Sequence, residues 1–398
     1  SGLIIFCFFT RGFTPGYILS ALRACCRAKK LFALHEKAIA VGNLIYIHSW
    51  LNLLKILHIN TEKTWRGGEQ QVLYLAKGLA AKGHASTIIC QPGSPLAERA
   101  RREGLAVVEM SMRGGFDPVA IFKIACQLRT GYDILHLHTS NAHTLGYLAS
   151  LLKRGHKVVV TRRVSFPIKG LWGKLKYTGV DKLIAVCEAV RNDLINSGIP
   201  PRLVVAIHSA IDLSRYEKRR VEPSEPIVGN VAHLAEHKGH KYFLEAAKNV
   251  LAAIPGAKFI IVGDGELRSE LERYAKSLAI ADKVSFLGFQ KDIRGFIAQC
   301  TITVLSSISG EGSPGVLKES MAIGVPVVTT DVGGSREVVA DEVSGFVVPP
   351  GNPDALPSAI IRLLRDKELR ERMAVKGLVK VKEFSLDAIV EKTEVVYR

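Results

Sequence analysis

The chain has 398 residues, more than a single hydrophobic core usually serves, so two domains of ordinary size are expected. Hydrophobic residues make up 47% of the chain and charged residues 23%, a composition that excludes a disordered protein. The net charge of +17 lies in the first 215 residues, which hold 29 Lys+Arg against 12 Asp+Glu while the remainder holds 25 of each, so the first half is expected to meet an anionic partner.

The first 52 residues show no regular pattern of strands and helices. An apolar stretch at 3–9 is too short to span a bilayer, and a basic run follows it around Arg27. Three interpretations stay open: an upstream translation artefact, an irregular extension, or a membrane-surface segment. The seven cysteines are scattered without a C-x-x-C pair, which favours a reduced, cytoplasmic chain.

A first α/β series occupies residues 53–215. A buried strand at 55–59 precedes a Gly67-Gly68 turn and an amphipathic helix at 71–82. Short apolar runs then alternate with helical stretches, and the predicted strands are 86–90, 106–109, 134–138, 157–161, 183–186 and 204–207. Alternation of this kind is typical of βαβ units around a parallel sheet.

A polar stretch at 216–226 interrupts the series and is predicted to be a linker. A second α/β series follows over 227–384, with strands predicted from residue 227 and at 258–262, 283–287, 302–305 and 325–329. The last segment, 385–398, is predicted to be a helix that returns to the N-terminal domain. The expected fold class is α/β with two doubly wound domains, whose ligands bind beyond the carboxyl ends of the strands.

The loop with the richest chemistry runs from 309 to 322, between a strand and a helix. Glu311 and Glu319 stand eight positions apart, with three glycines between Ser309 and Val316 that let backbone amides approach a ligand. Amides at a helix terminus suit a diphosphate, and a carboxylate can accept both hydroxyls of a ribose. The plainer alternatives are a solvated helical carboxylate for Glu319 and a solubilising loop residue for Glu311.

This loop, EGSPGVLKE, and the segments SMAIGVPVV and TDVGGSREVV that follow it closely resemble the donor loop of the retaining glycosyltransferases of family 4. The resemblance implies the GT-B architecture, in which two Rossmann-like domains face each other across a cleft. The N-terminal domain would bind the acceptor and the C-terminal domain the nucleotide sugar. It further implies that Glu311 lies near the transferred sugar and Glu319 grips the ribose, with donor contacts from Gly312, Ser313, Pro314 and Gly315.

Two segments of the N-terminal half look like the same family. Trp65-Arg-Gly-Gly-Glu-Gln70 is similar to its glycine-rich first loop, which implies that Gly67 and Gly68 approach the donor diphosphate. Asp133-Ile-Leu-His-Leu-His138 is similar to its H-x-H strand end. Outward histidines at a strand end favour a function, and the loop-side position singles out His138 to reach the sugar, with a structural role as the alternative for His136.

Three positions of the C-terminal half continue the resemblance. Lys238 with Gly239 is similar to the family's Lys-Gly clamp on the diphosphate, although His233 stands where the family usually has an arginine. Gly263 matches in place as a donor-side glycine, and Phe289 lies near where the family holds the nucleobase. The resemblance covers about 55–398 and favours a UDP-linked hexose as donor, with UDP-glucose, UDP-galactose, UDP-GlcNAc and GDP-mannose all left open. Nothing resembling a D-x-D metal site ends a strand, so no metal and no cofactor are expected, and a same-face reaction fits the lack of a convincing nucleophile.

Three other classes of protein are alternatives to a glycosyltransferase. A nicotinamide dehydrogenase is disfavoured because neither glycine turn completes G-x-G-x-x-G. A nucleic-acid-binding protein would explain the charge, but no aromatic-interleaved basic motif of a known module is present, so no nucleic-acid partner is expected. The nearest enzyme alternative is a nucleotide-sugar epimerase on the same fold, which would need no acceptor.

A basic, aromatic stretch over 165–177 suggests a membrane contact. On a helix, apolar residues share one face and lysines flank it; the apolar set is Ile168, Leu171, Trp172 and Leu175, and the lysines are Lys169, Lys174 and Lys176. A core-facing helix with a solvated basic side is the plainer alternative. The sharper interpretation is an interfacial helix on an anionic bilayer or glycolipid. It predicts a peripheral enzyme on the inner face of the cytoplasmic membrane that modifies a lipid-linked or cell-envelope glycan, such as lipopolysaccharide.

Overall fold

The computed structural model describes residues 53–398 apart from 165–167, 169 and 217–221 and the side chain of Leu171. The predicted extension at 1–52 and the predicted membrane residue Lys169 lie outside the described residues, as does most of the first half of the predicted linker.

The first sheet has seven parallel strands in the order β3-β2-β1-β4-β5-β6-β7. Its strands are β1 Lys55–Ile59, β2 Ala85–Cys90, β3 Ala106–Glu109, β4 Ile134–Leu137, β5 Lys157–Arg162, β6 Lys182–Ala185 and β7 Val204–Ala206. The helices between them are α1 Gly67–Ala81, α2 Pro95–Arg102, α3 Pro118–Leu128, α4 Ser140–Leu152, α5 Gly170–Thr178 and α6 Glu188–Asn196. We call this part the N-terminal domain.

The second sheet has six parallel strands in the order β10-β9-β8-β11-β12-β13. Its strands are β8 Ile227–Val231, β9 Lys258–Val262, β10 Val284–Phe286, β11 Ile302–Leu305, β12 Val327–Thr330 and β13 Gly345–Val348. The helices of this C-terminal domain are α7 His240–Ala253, α8 Arg268–Ser277, α9 Arg294–Ala298, α10 Gly315–Ile323, α11 Ser335–Val338, α12 Ala355–Arg365 and α13 Lys367–Lys380.

Both sheets form because their central strands are apolar and helices cover both faces. All four residues of β4, β11, β12 and β13 are buried, as expected for parallel strands with helices on each side. The predicted fold class, two doubly wound domains, is confirmed. In both sheets the strand order reverses beside the first strand, at β1/β4 and at β8/β11, and ligands of such sheets bind at this switch point.

Two local predictions were wrong. The strand β13 was missed, because it opens at Gly345 within a polar, turn-like segment. The predicted Gly67-Gly68 turn is instead the first turn of α1, which begins one turn earlier than expected. Glycine at a helix start costs little, so the glycine pair is compatible with the first turn of the helix.

The last helix, α14 Leu386–Tyr397, packs on α1 of the N-terminal domain. A methyl group on Gly78 of α1 would lie 2.5 Å from a methyl of Val390, so glycine permits the close contact. Lys82 pairs with Glu394 at 3.2 Å, and the Tyr397 hydroxyl lies 2.6 Å from Nδ1 of His136. The two domains are thus joined by α14 as well as by the linker. Within the described residues, every helix falls short of the length and apolar character that a bilayer crossing requires.

Candidate active site

A cavity of about 290 Å³ lies between the two domains, beyond the carboxyl ends of their central strands. The N-terminal domain contributes the start of α1 and the residues after β5 and β6, and the C-terminal domain contributes the loop that leads into α10. The cavity brings together seven of the predicted donor residues: Gly67, Glu311, Gly312, Ser313, Pro314, Gly315 and Glu319.

The start of α10 presents unpaired backbone amides to this cavity. Pro314 precedes the helix in an extended conformation, and no side chain caps the first turn. The first amides of a helix lack intrahelical partners and carry the positive end of the helix dipole. An anion such as a phosphate group fits this position.

Glu319 lies in the second turn of α10, half-buried in the cavity wall, with its Oε2 atom buried. The Oε2 atom of Glu319 has no hydrogen-bond partner among the described residues. Burial raises the pKa of the Glu319 carboxyl, and the nearby Tyr216 hydroxyl opposes that rise. A buried acceptor without a hydrogen-bond partner destabilises the folded protein, so a ligand whose hydroxyl groups donate hydrogen bonds would satisfy it.

Glu311 and Lys238 form an ion pair, with the Lys238 Nζ 2.6 Å from Oε1 of Glu311. The same oxygen accepts a hydrogen bond of 2.5 Å from Ser307 Oγ. Lys238 ends a 3₁₀ turn, Glu236–Lys238, and Gly239 follows with φ +65°. A Cβ on Gly239 would lie 2.1 Å from the Ser306 carbonyl oxygen, so glycine lets this turn approach the end of β11 and places the lysine beside Glu311.

The N-terminal wall is formed by the first turn of α1. Gly67 has open space around it, whereas a Cβ on Gly68 would lie 3.7 Å from Cδ of Arg163. Glu69 is buried and accepts a 2.9 Å hydrogen bond from the Arg66 amide and a 3.3 Å bond from Asn60 Nδ2. The helix start is therefore held in place by Glu69, and its glycines face the arginine that follows β5.

The two histidines of the H-x-H strand do not point outward, and the prediction that they do was wrong. His136 is fully buried between Tyr397 and Thr161 Oγ1, which lies 2.7 Å from its Nε2. His138 is 4% exposed, and its Nε2 lies 3.1 Å from Nδ1 of His58. Burial holds the pKa of both rings well below the usual value, so both are neutral. They are buried because β4 is a central strand covered on both faces.

Ring nitrogens of His58, His136 and His138 lie within 4.8 Å of one another, a spacing at which three imidazoles could hold a metal ion. Both nitrogens of His136 are already bonded to hydroxyl groups, so binding a metal would break at least one of these bonds. The residue that the family resemblance assigns to the sugar, His138, keeps a buried Nδ1 without a partner among the described residues.

Three predicted donor residues either lie outside the cavity or are explained by contacts within the protein. Phe289 is 72% exposed and does not line the cavity. Gly263 has φ +142°, and a Cβ there would lie 1.9 Å from the Ala232 carbonyl oxygen, so backbone packing accounts for the glycine. Ser313 turns its hydroxyl to the N-terminal domain, where Oγ accepts from the Ser209 amide at 3.2 Å and from Lys318 Nζ at 2.9 Å.

The predicted membrane helix forms as α5, but one of its lysines points inward. Lys176 is 9% exposed and donates to Thr144 Oγ1 at 3.2 Å, so its predicted flanking position was wrong. Lys174 is exposed. Trp172 is 38% exposed and packs against Phe116, which is 67% exposed, with ring centroids 5.7 Å apart.

The sequence did not single out three cavity residues. Arg163 follows β5 beside a second arginine, a pair that resembles an ordinary solvated strand end. Tyr216 lies in a polar segment next to the linker, and Lys318 precedes Glu319 in the helix. The one signal for Arg163 was its place at the carboxyl end of a buried strand, where ligands of such sheets bind.

Family models match the chain in two consecutive segments that meet at residue 215. A model described as Glycosyltransferase Family 4 matches residues 65–215, and one described as Glycosyl transferases group 1 matches residues 215–378.

Two curated relatives align over most of both chains. One, from Escherichia coli, is UDP-Gal:alpha-D-GlcNAc-diphosphoundecaprenol alpha-1,3-galactosyltransferase, 24% identical over 85% of this chain and 98% of its own. The other is the lipopolysaccharide core biosynthesis glycosyltransferase LpsE of Rhizobium meliloti (strain 1021), 26% identical over 85% of this chain and 97% of its own.

Two solved structures share the fold. A glycosyltransferase from Rickettsia africae ESF-5 superposes with a TM-score of 0.78 at 22% identity, covering 87% of this chain and 98% of that one. Anabaena HepE in complex with UDP superposes with a TM-score of 0.76 at 21% identity, covering 86% and 99%.

Separate substitutions of the two cavity carboxylates are expected to have different effects. Glu319→Ala should weaken binding of a nucleoside diphosphate by roughly 10- to 150-fold, because a charge-assisted hydrogen bond is worth ~1.5–3 kcal/mol. Glu311→Ala should chiefly lower turnover. Calorimetric titration and initial rates measure the two effects, and Glu368→Ala, an exposed helical glutamate in α13, is the matched control. If both cavity variants bind and turn over like the parent, the assignment of this loop is wrong.

Proposed function

Since the chain belongs to the family 4 glycosyltransferases of group 1, we propose that it transfers a hexose from a UDP-linked donor to a glycan or glycolipid of the cell envelope. The observation that carries the proposal is Glu319, whose buried Oε2 lacks a partner among the described residues, beside the open amides of α10. A ribose on this carboxylate and a diphosphate at the helix start would satisfy both features at once.

The choice of UDP draws support from the names of similar proteins. The Escherichia coli relative uses UDP-Gal, and Anabaena HepE has been solved with UDP. The acceptor class draws support from the same source, since that relative acts on a sugar carried by diphosphoundecaprenol and the Rhizobium meliloti relative acts in lipopolysaccharide core biosynthesis.

The chemistry requires stabilisation of a leaving diphosphate. Breaking the bond between the anomeric carbon and the β-phosphate oxygen leaves negative charge on that phosphate and positive charge on the sugar. The α10 amides face the negative charge on the phosphate. Lys238 is a further positive group, held in an ion pair with Glu311. Because these groups are positive already, the reaction is proposed to proceed without a metal ion or cofactor.

Retention of configuration is proposed to arise from a same-face reaction. A double displacement would need a carboxylate that attacks the anomeric carbon. Glu311 is held at Oε1 by Lys238 and Ser307, so this carboxylate is not free to attack. The departing phosphate can instead accept the proton of the attacking acceptor hydroxyl, so the new bond forms on the face that the diphosphate leaves.

Closure of the two domains excludes water from the cavity. Two hydrogen bonds cross the domain boundary: the Ser209 amide donates to Ser313 Oγ, and Lys318 Nζ donates to the Ser209 carbonyl oxygen at 2.6 Å. Within the C-terminal domain, Lys318 Nζ also donates to Ser313 Oγ. A shielded cavity protects the sugar cation from hydrolysis and favours the acceptor hydroxyl.

An exposed aromatic surface on the N-terminal domain is proposed to meet the membrane. It consists of Phe116, Trp172 and Leu175, with Lys174 beside them, and we call it the aromatic surface. Aromatic and basic side chains together suit the interface of an anionic bilayer. The surplus positive charge of the first 215 residues acts in the same direction, so the enzyme is proposed to work peripherally on the inner face of the membrane.

The proposed reaction is tested by following nucleotide release from UDP-hexoses with a lipid-linked glycan acceptor. We expect acceptor-dependent release of UDP at a rate unchanged in excess EDTA, because protein groups supply the positive charge. Loss of activity in EDTA with rescue by Mg²⁺ or Mn²⁺ would point to a metal-assisted mechanism. Interconversion of the UDP-hexose without an acceptor would indicate an epimerase instead.

The membrane contact is tested by co-sedimentation with vesicles. We expect the parent to bind vesicles containing phosphatidylglycerol at low salt and less at high salt, since screening weakens the contribution of ~1 kcal/mol from each basic residue. Changing Phe116, Trp172 and Lys174 together to Ser should abolish sedimentation, while Val395→Ser, an exposed apolar change on α14, should not. Equal partitioning of parent and triple variant would remove the aromatic surface from the account.

A further inference from the structure

Arg163 places a guanidinium group in the wall of the interdomain cavity, from the N-terminal side. The residue directly follows β5, and its side chain is half-buried between the first turn of α1 and the loop before α10. A Cβ on Gly68 would lie 3.7 Å from its Cδ, and a Cβ on Gly312 would lie 2.6 Å from its carbonyl oxygen. The arginine is therefore fixed between the two segments whose amides face the cavity.

Within the described part of the chain, the charge of Arg163 is not neutralised by a bonded carboxylate. Its Nε is buried and has no hydrogen-bond partner among the described residues. The nearby acid is Glu69, which favours the charged form of Arg163 electrostatically, but both Glu69 oxygens already accept bonds from Arg66 and Asn60. Burial lowers the pKa of Arg163 to about 10, so the group stays protonated at neutral pH.

Other basic groups around the cavity are occupied. Lys318 donates to Ser209 and Ser313, and burial lowers its pKa to about 7, so a large fraction of it is neutral at neutral pH. Lys238 is paired with Glu311. The neighbouring Arg162 turns the other way, with its guanidinium 5.2 Å from the centre of the Tyr177 ring. Among the described residues that line the cavity, Arg163 is thus the cation whose N–H groups are left to donate to a ligand.

A charge that is partly removed from water and has no bonded partner is destabilising, and a ligand that supplies the partner removes this cost. A guanidinium matches the oxygens of a phosphate group in a forked geometry. We propose that Arg163 binds the diphosphate of the donor from the N-terminal domain, opposite the amides of α10. The inference rests on the proposed function and adds a catalytic residue to it.

The role of Arg163 in the reaction is electrostatic. When the bond between the anomeric carbon and the β-phosphate oxygen breaks, the bonding electron pair stays on that oxygen. The N–H groups of the guanidinium donate hydrogen bonds to the phosphate, and the guanidinium keeps its protons. Because Arg163 belongs to the N-terminal domain and α10 to the C-terminal domain, the diphosphate joins the two domains. The set of positive groups around the leaving diphosphate is then complete in the closed enzyme.

Calorimetric titrations with UDP and with inorganic pyrophosphate test this assignment. Arg163→Gln should weaken binding of both probes by roughly 10- to 100-fold. Arg163→Lys should weaken it less, because the ammonium keeps the charge but not the fork. Glu319→Ala should weaken UDP alone, since pyrophosphate has no ribose. Arg154→Gln, an exposed change in the same domain, should alter neither.

Thermal unfolding of the proteins without ligand supplies a second readout. Arg163→Gln should unfold at or above the temperature of the parent, because a half-buried charge without a bonded partner has been removed. A lower unfolding temperature would mean that Arg163 is structural, and UDP and pyrophosphate binding equal to that of the parent would also overturn the proposal.

The two probes separate this inference from the proposed function. A parent that binds pyrophosphate through Arg163 but no nucleoside diphosphate supports the anion site and contradicts the proposed donor. A parent that binds UDP regardless of Arg163 supports the donor and contradicts the role of Arg163. Binding of neither probe by the parent contradicts both.

Discussion

The close approach of the donor loop to the N-terminal domain is the constraint on which the candidate site depends. A Cβ on Gly312 would lie 2.6 Å from the Arg163 carbonyl oxygen, and a Cβ on Gly334 would lie 2.1 Å from the Gly312 carbonyl oxygen. Gly333, with φ +56°, would place a Cβ 1.7 Å from the Glu311 carbonyl oxygen. Side chains at these positions would force the loop away, so these glycines keep the loop against the N-terminal domain.

Polar contacts join the two domains beside the cavity. The Glu337 carboxylate accepts from the Glu188 amide at 2.9 and 3.0 Å and so caps α6 of the other domain. It also lies 3.1 Å from Nε2 of His208, whose Nδ1 lies 3.2 Å from Ser313 Oγ. Polar interdomain contacts of this kind are compatible with opening, which a donor needs in order to enter.

Sequence patterns predicted the features that depend on local periodicity and spacing. Alternating apolar runs predicted two parallel sheets, and the eight-residue spacing predicted that Glu311 lies in a loop and Glu319 in a helix. Contacts between distant segments could not be predicted. His136 is satisfied by Tyr397, 261 residues away, and Lys176 is turned inward by Thr144 on a neighbouring helix. The role of Arg163 could not be predicted from the sequence, because it depends on Gly68 and Gly312, which lie beside it only in the folded structure.

A crystal structure of the protein with UDP would show whether one nucleoside diphosphate joins the two domains in the cavity at Glu319. We expect ribose hydroxyls within hydrogen-bond distance of Glu319 and the β-phosphate between the first turn of α10 and the guanidinium of Arg163. A nucleotide bound outside this cavity, or inside it with its phosphates turned away from α10, would show that the cavity is not the donor site.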